Sequence, residues 1–412
     1  MKKISLHKLN LGRFMNIVPL RKKHVDSENG EYLKERGKSA PNLMAERLHP
    51  GMQHLVVMEV KPEAPGVVSY ILGPDRDMGT KELAYFQAGQ YLSVFLDIKP
   101  TDSDGSTGTV HVTRPYSLSS SPRESLEGKY MLTVKATGGL VSTYIQENWQ
   151  VGSRVKVSEP QGTFTYERLR DAKNVVAIAG GSGITPFRSL AKAAADGDED
   201  MNLILLYGTR TMADAVFQNE FKELEKYGKL KLVNVLSSGD EAEAEQNGAE
   251  KGFITAELIK KYAPEGEYSV FLCGPQAMYD FADKELEKLN LRRKYIRHEL
   301  MGGYKDPEMI KMSEESSEEF KLTVNITDKK YETACRSEES ILVAMERAGI
   351  KAPSRCRSGL CGWCHSQLCS GDVYIPSKTD GRRAADGKFG YIHPCAAFPL
   401  SDIEITVPSY RE

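Results

Sequence analysis

The feature that most constrains this chain is a run of three cysteines near its C-terminal end, with a fourth cysteine further on. Four residues separate Cys356 from Cys361, and two separate Cys361 from Cys364. Thirty more residues precede Cys395. This C-x4-C-x2-C…C spacing is that of loops that hold a [2Fe–2S] cluster, with thiolates supplied by one short loop and one distant segment. The sequence therefore predicts that these four cysteines are metal ligands.

Two glycines inside the loop favour this interpretation. Gly359 and Gly362 leave room for backbone N–H groups to approach the bridging sulfides of a cluster and tune its reduction potential by hydrogen bonding. A zinc site is one alternative, although zinc sites usually pair two C-x-x-C knuckles and this run contains one. Buried thiols without a metal are the other alternative.

Length and composition limit the number of domains and the classes of partner that the chain can have. A chain of 412 residues has room for two to four domains. Its 40% hydrophobic and 27% charged residues are those of an ordinary soluble protein, and the net charge of −2 argues against nucleic acid as a partner. No run of about 18 apolar residues predicts a transmembrane segment, and the start lacks the apolar core of a signal peptide. Seven cysteines, four of them in the cluster pattern, favour a reducing cytoplasm.

Residues 1–50 form a basic N-terminal extension, with eleven Lys and Arg against five Asp and Glu. Arg21–His24 is its densest basic run, and its periodicity is poor. One interpretation is a partly ordered arm laid over the first domain. The other is a docking arm for an acidic partner or a membrane surface.

The remaining chain divides by pattern into three domains. Short strand-like runs separated by Gly and Pro turns predict an antiparallel six-stranded β-barrel over residues 51–168. Alternating apolar runs and helical patterns predict an α/β domain with a parallel sheet over residues 169–303. An acidic linker over residues 304–318 leads to a third domain over residues 319–412. The predicted strands and helices of the first two domains are His54–Val60, Val67–Leu72, Tyr91–Leu96, Thr109–Val112, Tyr130–Ala136 and Arg154–Ser158, then the strands Val175–Ala179, Leu203–Tyr207, Leu230–Val235 and Ser269–Cys273 with the helices Phe187–Ala194, Phe217–Glu225, Thr255–Tyr262 and Gln276–Leu289.

Within the barrel, Arg114, Tyr116 and Ser117 form a motif suited to a cofactor with a phosphate and a flat ring. A guanidinium binds phosphate, an aromatic ring lies beside the cofactor ring, and a hydroxyl meets its polar edge. On a strand, Arg114 and Tyr116 would point to the same side. The alternative is a strand with a surface arginine and a core tyrosine.

A glycine-rich turn follows in the same domain. Gly138 and Gly139 precede a predicted helix whose first turn contains Ser142 and Thr143. Free N–H groups at a helix start, with hydroxyls beside them, make an anion site. Together with the arginine motif, this turn predicts phosphate binding; alone, it would be an ordinary capped turn.

The α/β domain carries two further motifs at strand ends. Gly181, Gly183 and Thr185 follow a buried strand and precede a helix, a context in which glycines let a pyrophosphate approach the backbone. Pro186 stands where the last glycine of G-x-G-x-x-G would be, which disfavours a standard Rossmann dehydrogenase. The second motif, Cys273-Gly274-Pro275, ends another strand at the edge where open α/β sheets bind ligands.

In this order, these motifs resemble those of the ferredoxin–NADP reductase superfamily. With a plant-type [2Fe–2S] ferredoxin domain at the C-terminus, the chain is similar to three-domain reductases of the phthalate dioxygenase reductase and hybrid-cluster protein reductase kind. The resemblance implies a C-terminal α+β β-grasp fold for the third domain. It also implies that electrons pass from NAD(P)H to a flavin, and then singly through the cluster.

The resemblance further implies roles for individual residues. Gly274 and Pro275 would help bind the nicotinamide cofactor, whose ring would lie near Thr185 and Cys273, while flavin N5 would lie near Ser117. Glu299 matches the position of a carboxylate that approaches the flavin. The glycine-rich turn favours FAD over FMN. Arg210 could contact a 2′-phosphate of NADPH, but NADH-using relatives also carry arginine nearby, and we expect NADH.

Four residues remain outside these motifs. Cys335 and Cys369 are interpreted as buried packing residues, with Cys369 as an alternative cluster ligand. Arg355 and Arg357 are expected to make the surface around the cluster basic and to attract an acidic partner; a solvated loop is the alternative.

These observations predict a reductase that delivers electrons to a separate protein, such as an oxygenase or a hybrid-cluster enzyme. A membrane- or quinone-linked NADH oxidoreductase is one rival hypothesis. A redox-responsive binding protein, whose cluster state controls docking, is the other.

Overall fold

The computed structural model describes residues 40–99, 109–238, 240–302 and 318–408, together with residues 19, 20 and 23. Contacts divide the chain into two compact units, Met1–Pro50 and Gly51–Glu412. The first unit includes the helix Ala40–Leu48. The predicted acidic linker, apart from residue 318, and the basic run Arg21–His24, apart from residue 23, lie outside the described residues.

The second unit begins with a six-stranded antiparallel sheet, as predicted. Its strands run in the order β4-β3-β6-β1-β2-β5. The sheet curls until a bridge between Leu118 and Leu132 joins β4 to β5, which closes the barrel. Alternating side chains fill its interior, and Leu55, Leu92 and Val157 are fully buried there. The elements are β1 Met52–Ala64, β2 Val67–Pro74, β3 Tyr91–Ile98, β4 Val110–Ser117, β5 Tyr130–Lys135 and β6 Arg154–Ser158, with the helices Pro122–Leu126 and Leu140–Asn148.

A parallel six-stranded sheet follows, in the order β10-β9-β8-β7-β11-β12. The central strand β7 is covered on both faces, which explains why its sequence is a continuous apolar run rather than an alternating one. The elements are β7 Asn174–Gly180, β8 Asn202–Thr209, β9 Leu230–Leu236, β10 Glu250–Lys251, β11 Tyr268–Cys273 and β12 Ile296–His298, with the helices Thr185–Ala195, Gln218–Glu225, Glu241–Gln246, Ala256–Tyr262 and Gln276–Glu287.

The third domain is a mixed five-stranded sheet packed on one main helix, in the order β14-β13-β19-β15-β17. The hairpin β13–β14 leads into the helix Ile341–Arg347, whose buried side chains cover the sheet. The elements of this domain are β13 Glu319–Ile326, β14 Lys329–Arg336, β15 Ser366–Ser370, β16 Val373–Tyr374, β17 Tyr391–Ile392, β18 Phe398–Pro399 and β19 Ile403–Val407, with the helices Ile341–Arg347 and Ala384–Lys388. All three predicted architectures are confirmed.

Cys335 and Cys369, the two cysteines outside the predicted motifs, differ in their exposure to solvent. Cys335 is fully buried in the core of the third domain, as predicted. Cys369 is exposed, so the prediction of buried packing is wrong. The reason is a register shift between Leu368 and Ser370, where an extra residue in β15 breaks the inward–outward alternation. Among the described residues, no helix is both long and apolar enough to cross a membrane.

Candidate active site and cluster loop

The last four residues of strand β4, Arg114–Ser117, contain the predicted flavin motif. Ser117 pairs with Tyr91 of the neighbouring strand β3, and its hydroxyl is buried with no hydrogen-bond partner in the part of the chain that is described. Burial of a hydroxyl costs free energy unless it forms a hydrogen bond. We therefore expect the Ser117 hydroxyl to hydrogen-bond to a bound group. Tyr116 is half-buried against the barrel core, and burial raises its pKa to about 12. Both residues fit the edge of a bound flavin.

Within the described part of the chain, Arg114, three residues before Ser117, forms its hydrogen bonds through one nitrogen. Nη1 donates to the carbonyl of Thr113 at 2.9 Å and lies 3.2 Å from both carboxylate oxygens of Glu346 in the third domain. A guanidinium has five N–H donors, so donors on Nε and Nη2 are left for a phosphate. Arg114 can therefore bind a phosphate, as predicted from the sequence, and also pair with Glu346. The ion pair was not predicted.

The glycine-rich turn leads into the helix Leu140–Asn148, which follows Gly139 without a side-chain cap. The first N–H groups of a helix have no partner within the helix, so an uncapped start can receive an anion. The Ser142 hydroxyl instead lies 3.0 Å from the Thr137 hydroxyl and donates to the Gly139 carbonyl at 3.2 Å. Ser142 thus shapes the turn, while the half-buried Thr143 follows it in the helix.

A pocket of about 690 Å³ lies at the carboxyl edge of the parallel sheet. It brings together four of the predicted nucleotide-binding residues, Gly181, Thr185, Arg210 and Pro275. Lys135 of the barrel also lines it, and its ammonium lies 3.8 Å from the place that a Cβ on Gly181 would occupy. The pocket therefore brings glycine backbone and a cation close together, which suits a diphosphate.

Gly183 connects the two motifs of the α/β domain. A Cβ added there would lie 2.2 Å from the carbonyl oxygen of Cys273 and 2.7 Å from Cα of Gly274. Only glycine permits such an approach. The two predicted motifs, separated widely in sequence, are thus in direct backbone contact.

The end of strand β11 is also hydrogen-bonded to Glu299, the residue predicted to place a carboxylate near the flavin. The Glu299 N–H donates to the Leu272 carbonyl at 3.0 Å, and the Tyr279 hydroxyl donates to the Glu299 carbonyl at 2.5 Å. The same hydroxyl accepts the Gly274 N–H at 3.1 Å. Burial, and then the nearby Cys356, raise the pKa of Glu299 to about 8. Burial, followed by Glu299, also raises the pKa of Cys273. Both shifts favour the protonated forms of these groups.

The four loop cysteines approach each other in two pairs. The Cys364 and Cys395 sulfurs are 3.3 Å apart, and the Cys361 thiol hydrogen-bonds to Cys356. No three His, Cys, Asp or Glu side chains in the described ranges converge on a single metal ion. Pairing is the arrangement that a two-iron cluster requires, because each iron takes two of the four thiolates.

Backbone N–H groups also point at the sulfurs of these cysteines, whereas the predicted approach of N–H groups to the bridging sulfides stays a prediction. Ser358 and Cys361 N–H groups lie 3.4 Å from the Cys356 sulfur, and the Gly359 N–H lies 3.3 Å from that of Cys395. Hydrogen bonds from Cys361 and then from Ser358 lower the pKa of Cys356. Such bonds stabilise thiolates and tune cluster potentials, so the loop fits a [2Fe–2S] cluster.

The cluster loop lies against both other domains. The Gly302 N–H, just after β12, donates to the Cys356 carbonyl at 3.1 Å. Burial raises the pKa of Tyr91 in β3, and the charges of Cys356 and Cys361 add to this effect. Cys356, the first of the four predicted cluster ligands, therefore lies close to Glu299 and to Tyr91, the strand partner of Ser117.

The expectation of a basic surface formed by Arg355 and Arg357 is wrong. Both residues are buried. The Arg355 guanidinium lies 4.8 Å from the ring centre of Phe95 and 4.2 Å from that of Trp363, while Arg357 pairs with Glu346. Each charge is therefore covered or neutralised by a neighbouring side chain. The loop instead exposes Leu360 and Cys361.

Sequence analysis missed three residues of this region: Lys135, Tyr279 and Glu346. Lys135 stands two residues before the predicted glycine-rich turn, and this proximity was a usable signal. Tyr279 and Glu346 lie inside helices, where nothing in the local pattern sets them apart.

Comparisons with known proteins agree with this architecture. Three family models match: the oxidoreductase FAD-binding domain over residues 78–166, the oxidoreductase NAD-binding domain over residues 177–284, and the 2Fe-2S iron-sulfur cluster binding domain over residues 324–400. Each model matches the part of the chain where the corresponding motifs lie. The three cofactor predictions are confirmed at this level.

Curated relatives and solved structures extend the match across most of the chain. The ferredoxin reductase component of 3-ketosteroid-9-alpha-monooxygenase from Mycobacterium tuberculosis is 30% identical over 340 residues, 81% of this chain and 88% of that protein. The reductase subunit of glycine betaine monooxygenase from Chromohalobacter salexigens is 27% identical over 336 residues, 78% and 88% of the two chains. The structure of phthalate dioxygenase reductase is similar with a TM-score of 0.59 and 24% identity, over 87% of this chain and 98% of that one.

Fold and site together define a flavin and iron–sulfur oxidoreductase with a nicotinamide substrate. The chain belongs to the three-domain flavin/[2Fe–2S] reductases of the ferredoxin–NADP reductase superfamily. It is an NAD(P)H-dependent electron-transfer reductase, as the sequence predicted.

Proposed function

We propose that this protein is the reductase component of a multicomponent system and delivers single electrons to a separate redox protein. The observation that carries the proposal is the placement of the cluster loop. Its first ligand, Cys356, contacts Gly302 near the proposed flavin site, while Leu360 and Cys361 are exposed. The names of the two monooxygenase reductase relatives favour an oxygenase as the acceptor.

Bound FAD would accept a hydride from the nicotinamide and release electrons one at a time to the [2Fe–2S] cluster. The barrel residues would hold this cofactor. The Ser117 hydroxyl, buried and unpaired within the described structure, would meet the polar edge of the flavin ring. Tyr116 would lie beside the ring, and the Arg114 nitrogens not engaged with Glu346 would bind phosphate.

Gly138 and Gly139 would add to this phosphate site. They place the uncapped start of the helix Leu140–Asn148 at the barrel surface, where its N–H groups and partial positive charge favour an anion. Ser142 would maintain the turn through its contact with Thr137, and Thr143 would line the first helical turn.

The nicotinamide cofactor would occupy the pocket at the carboxyl edge of the parallel sheet. Gly181 and Gly183 would admit the diphosphate to the backbone, and Lys135 would neutralise part of its charge. Gly274 and Pro275 would border the nicotinamide end, with Thr185 and the protonated thiol of Cys273 beside the ring. Arg210 also lines the pocket, and we infer NADH as the preferred donor.

Glu299 would act next to the flavin as a protonated carboxyl. Its pKa of about 8 means that it carries a proton at neutral pH and can donate a hydrogen bond from the carboxyl oxygen. Such a group would donate a hydrogen bond to the flavin edge without placing a negative charge beside an electron-rich ring.

One experiment separates this function from its rivals. Purified protein is mixed with NADH and with either ferricyanide, a small oxidant that reaches the flavin directly, or cytochrome c. The reductase hypothesis expects fast turnover with both. Slow turnover with both, together with a redox-dependent complex, would indicate a redox-responsive binding protein, and activity that requires quinone or lipid would indicate a membrane-linked enzyme.

A cluster variant sharpens this experiment. Cys361→Ser should abolish cytochrome c reduction and leave hydride reduction of the flavin intact, because it removes one predicted cluster ligand that does not line the nucleotide pocket. Cys369→Ser is the matched control, since Cys369 is an exposed cysteine on β15 outside the ligand pairs. Full cytochrome c reduction by Cys361→Ser would show that electrons bypass the cluster.

The cysteines also support a location. We infer the cytoplasm, where a reducing environment would keep the seven thiols of the chain available for the cluster or free.

A further inference from the structure

A buried ion-pair network joins the barrel to the domain that carries the cluster. Arg114 comes from β4, Glu346 from the helix Ile341–Arg347, and Arg357 from the cluster loop. Arg357 Nη1 lies 2.6 Å from Glu346 Oε1, and Arg114 Nη1 lies 3.2 Å from both carboxylate oxygens. One carboxylate thus serves two guanidiniums that belong to different domains.

The network is nearly closed to solvent on the side of the third domain. The side chains of Glu346 and Arg357 are 8% and 6% exposed, and that of Arg114 is 27% exposed. Water screens these charges little, so their mutual interactions are stronger than those of a surface pair.

The two guanidiniums repel each other across the domain boundary. Burial, and then the charge of Arg357, lower the pKa of Arg114, while Glu346 opposes this shift. Removal of one member of a buried ion pair is costly because the remaining charge is left uncompensated. Without the Glu346 carboxylate, two like charges would face each other, and the domains could relieve the repulsion by separating.

The position of the network relates it to electron transfer. Arg357 directly follows the ligand Cys356, and Arg114 lies on the same strand as Ser117. We propose that Glu346 is a positioning residue, which docks the cluster domain on the flavin barrel by bridging Arg114 and Arg357. This inference rests on the proposed electron route from flavin to cluster.

The test replaces Glu346 with glutamine, which keeps the size and an acceptor oxygen but removes the charge. FAD, iron and labile sulfide per chain should stay at parental levels, as should the ferricyanide rate and the KM for NADH. The cytochrome c rate should fall about tenfold, which corresponds to a change of about 1.4 kcal/mol in the docking equilibrium. Glu346→Asp, which retains the charge, should restore part of that rate.

A second readout reports docking without turnover. Hydrogen exchange of the oxidised protein should become faster in β4 and in the helix Ile341–Arg347, because these segments face each other through the network. The matched control is Glu332→Gln, which breaks an exposed pair with Lys321 within the third domain. This variant should leave both rates and both exchange profiles unchanged.

The outcomes are distinguishable. A Glu346→Gln protein with the parental cytochrome c rate and parental exchange overturns the inference and leaves the proposed function intact. Loss of iron and sulfide from this variant also overturns it, because Glu346 would then serve the fold of its own domain. Failure of the parent protein itself to reduce cytochrome c overturns the proposed function.

Discussion

Replacement of Gly359 by alanine should remove the cluster while leaving the flavin in place. Gly359 has a φ of +78°, and an added Cβ would lie 2.1 Å from the Thr379 carbonyl oxygen and 2.9 Å from Cβ of Ala396. The Thr379 carbonyl would have to retreat by about 1.3 Å to reach an ordinary contact distance of 3.4 Å. Left-handed backbone and overpacking together cost about 2 to 5 kcal/mol. A movement of Gly359 away from Thr379 instead would lengthen the 3.3 Å contact between the Gly359 N–H and the Cys395 sulfur.

The assay follows iron and labile sulfide per chain, the visible absorption of flavin and cluster, and the thermal midpoint of unfolding. Gly359→Ala should lose most of the iron and sulfide, keep the flavin, and reduce ferricyanide but not cytochrome c. Gly387→Ala is the matched control, since its Cβ would contact nothing within 4 Å and its φ is not positive. That variant should be neutral or more stable by about 0.4 to 1 kcal/mol. Full cluster content and a parental midpoint in Gly359→Ala would refute the steric argument.

Three further predictions concern the flavin and nicotinamide sites. Arg114→Ala should lower the flavin content of the purified protein, whereas the exposed Arg76→Ala should not; equal flavin in both would refute the phosphate role of Arg114. Glu299 has a pKa of about 8 against an ordinary value of 4.5, so its protonated form contributes stability that is complete below pH 4.5 and lost as pH rises through 8. The thermal midpoint of the parent should therefore fall relative to Glu299→Gln over this window, and a constant difference would contradict the shift. The parent should have a higher kcat/KM for NADH than for NADPH, and Arg210→Gln should widen the difference; a parent that prefers NADPH would contradict our inference.

Much of the fold could be predicted from the sequence, because long strands carry a strong periodic signal. The continuous apolar run at Val175–Ala179 indicated a strand covered on both faces, and β7 is such a strand. The short strands β10 and β12 were not predicted, because two or three residues establish no periodicity. The strand β4 extends further than predicted, through Ser117, because pairing with β3 continues across the proline at position 115.

The candidate site was predictable where topology forces residues together. Parallel strands end at one edge of a sheet, so the turn after β7 and the end of β11 had to be neighbours, and Gly183 contacts Cys273. Tertiary docking was not predictable in this way. The sequence shows that Arg355 is charged, but the ring of Phe95 that covers it comes from a different domain.

The bond from Gly302 to Cys356 joins two domains through main-chain atoms alone. This hydrogen bond uses no side-chain atom, so it does not depend on which side chains surround it. A proline at position 302 would remove its donor, and the φ of +84° at Gly302 favours glycine there. Substitutions around the cluster can therefore change its reduction potential, and with it the direction of electron transfer. The hydrogen bond that joins the two domains remains.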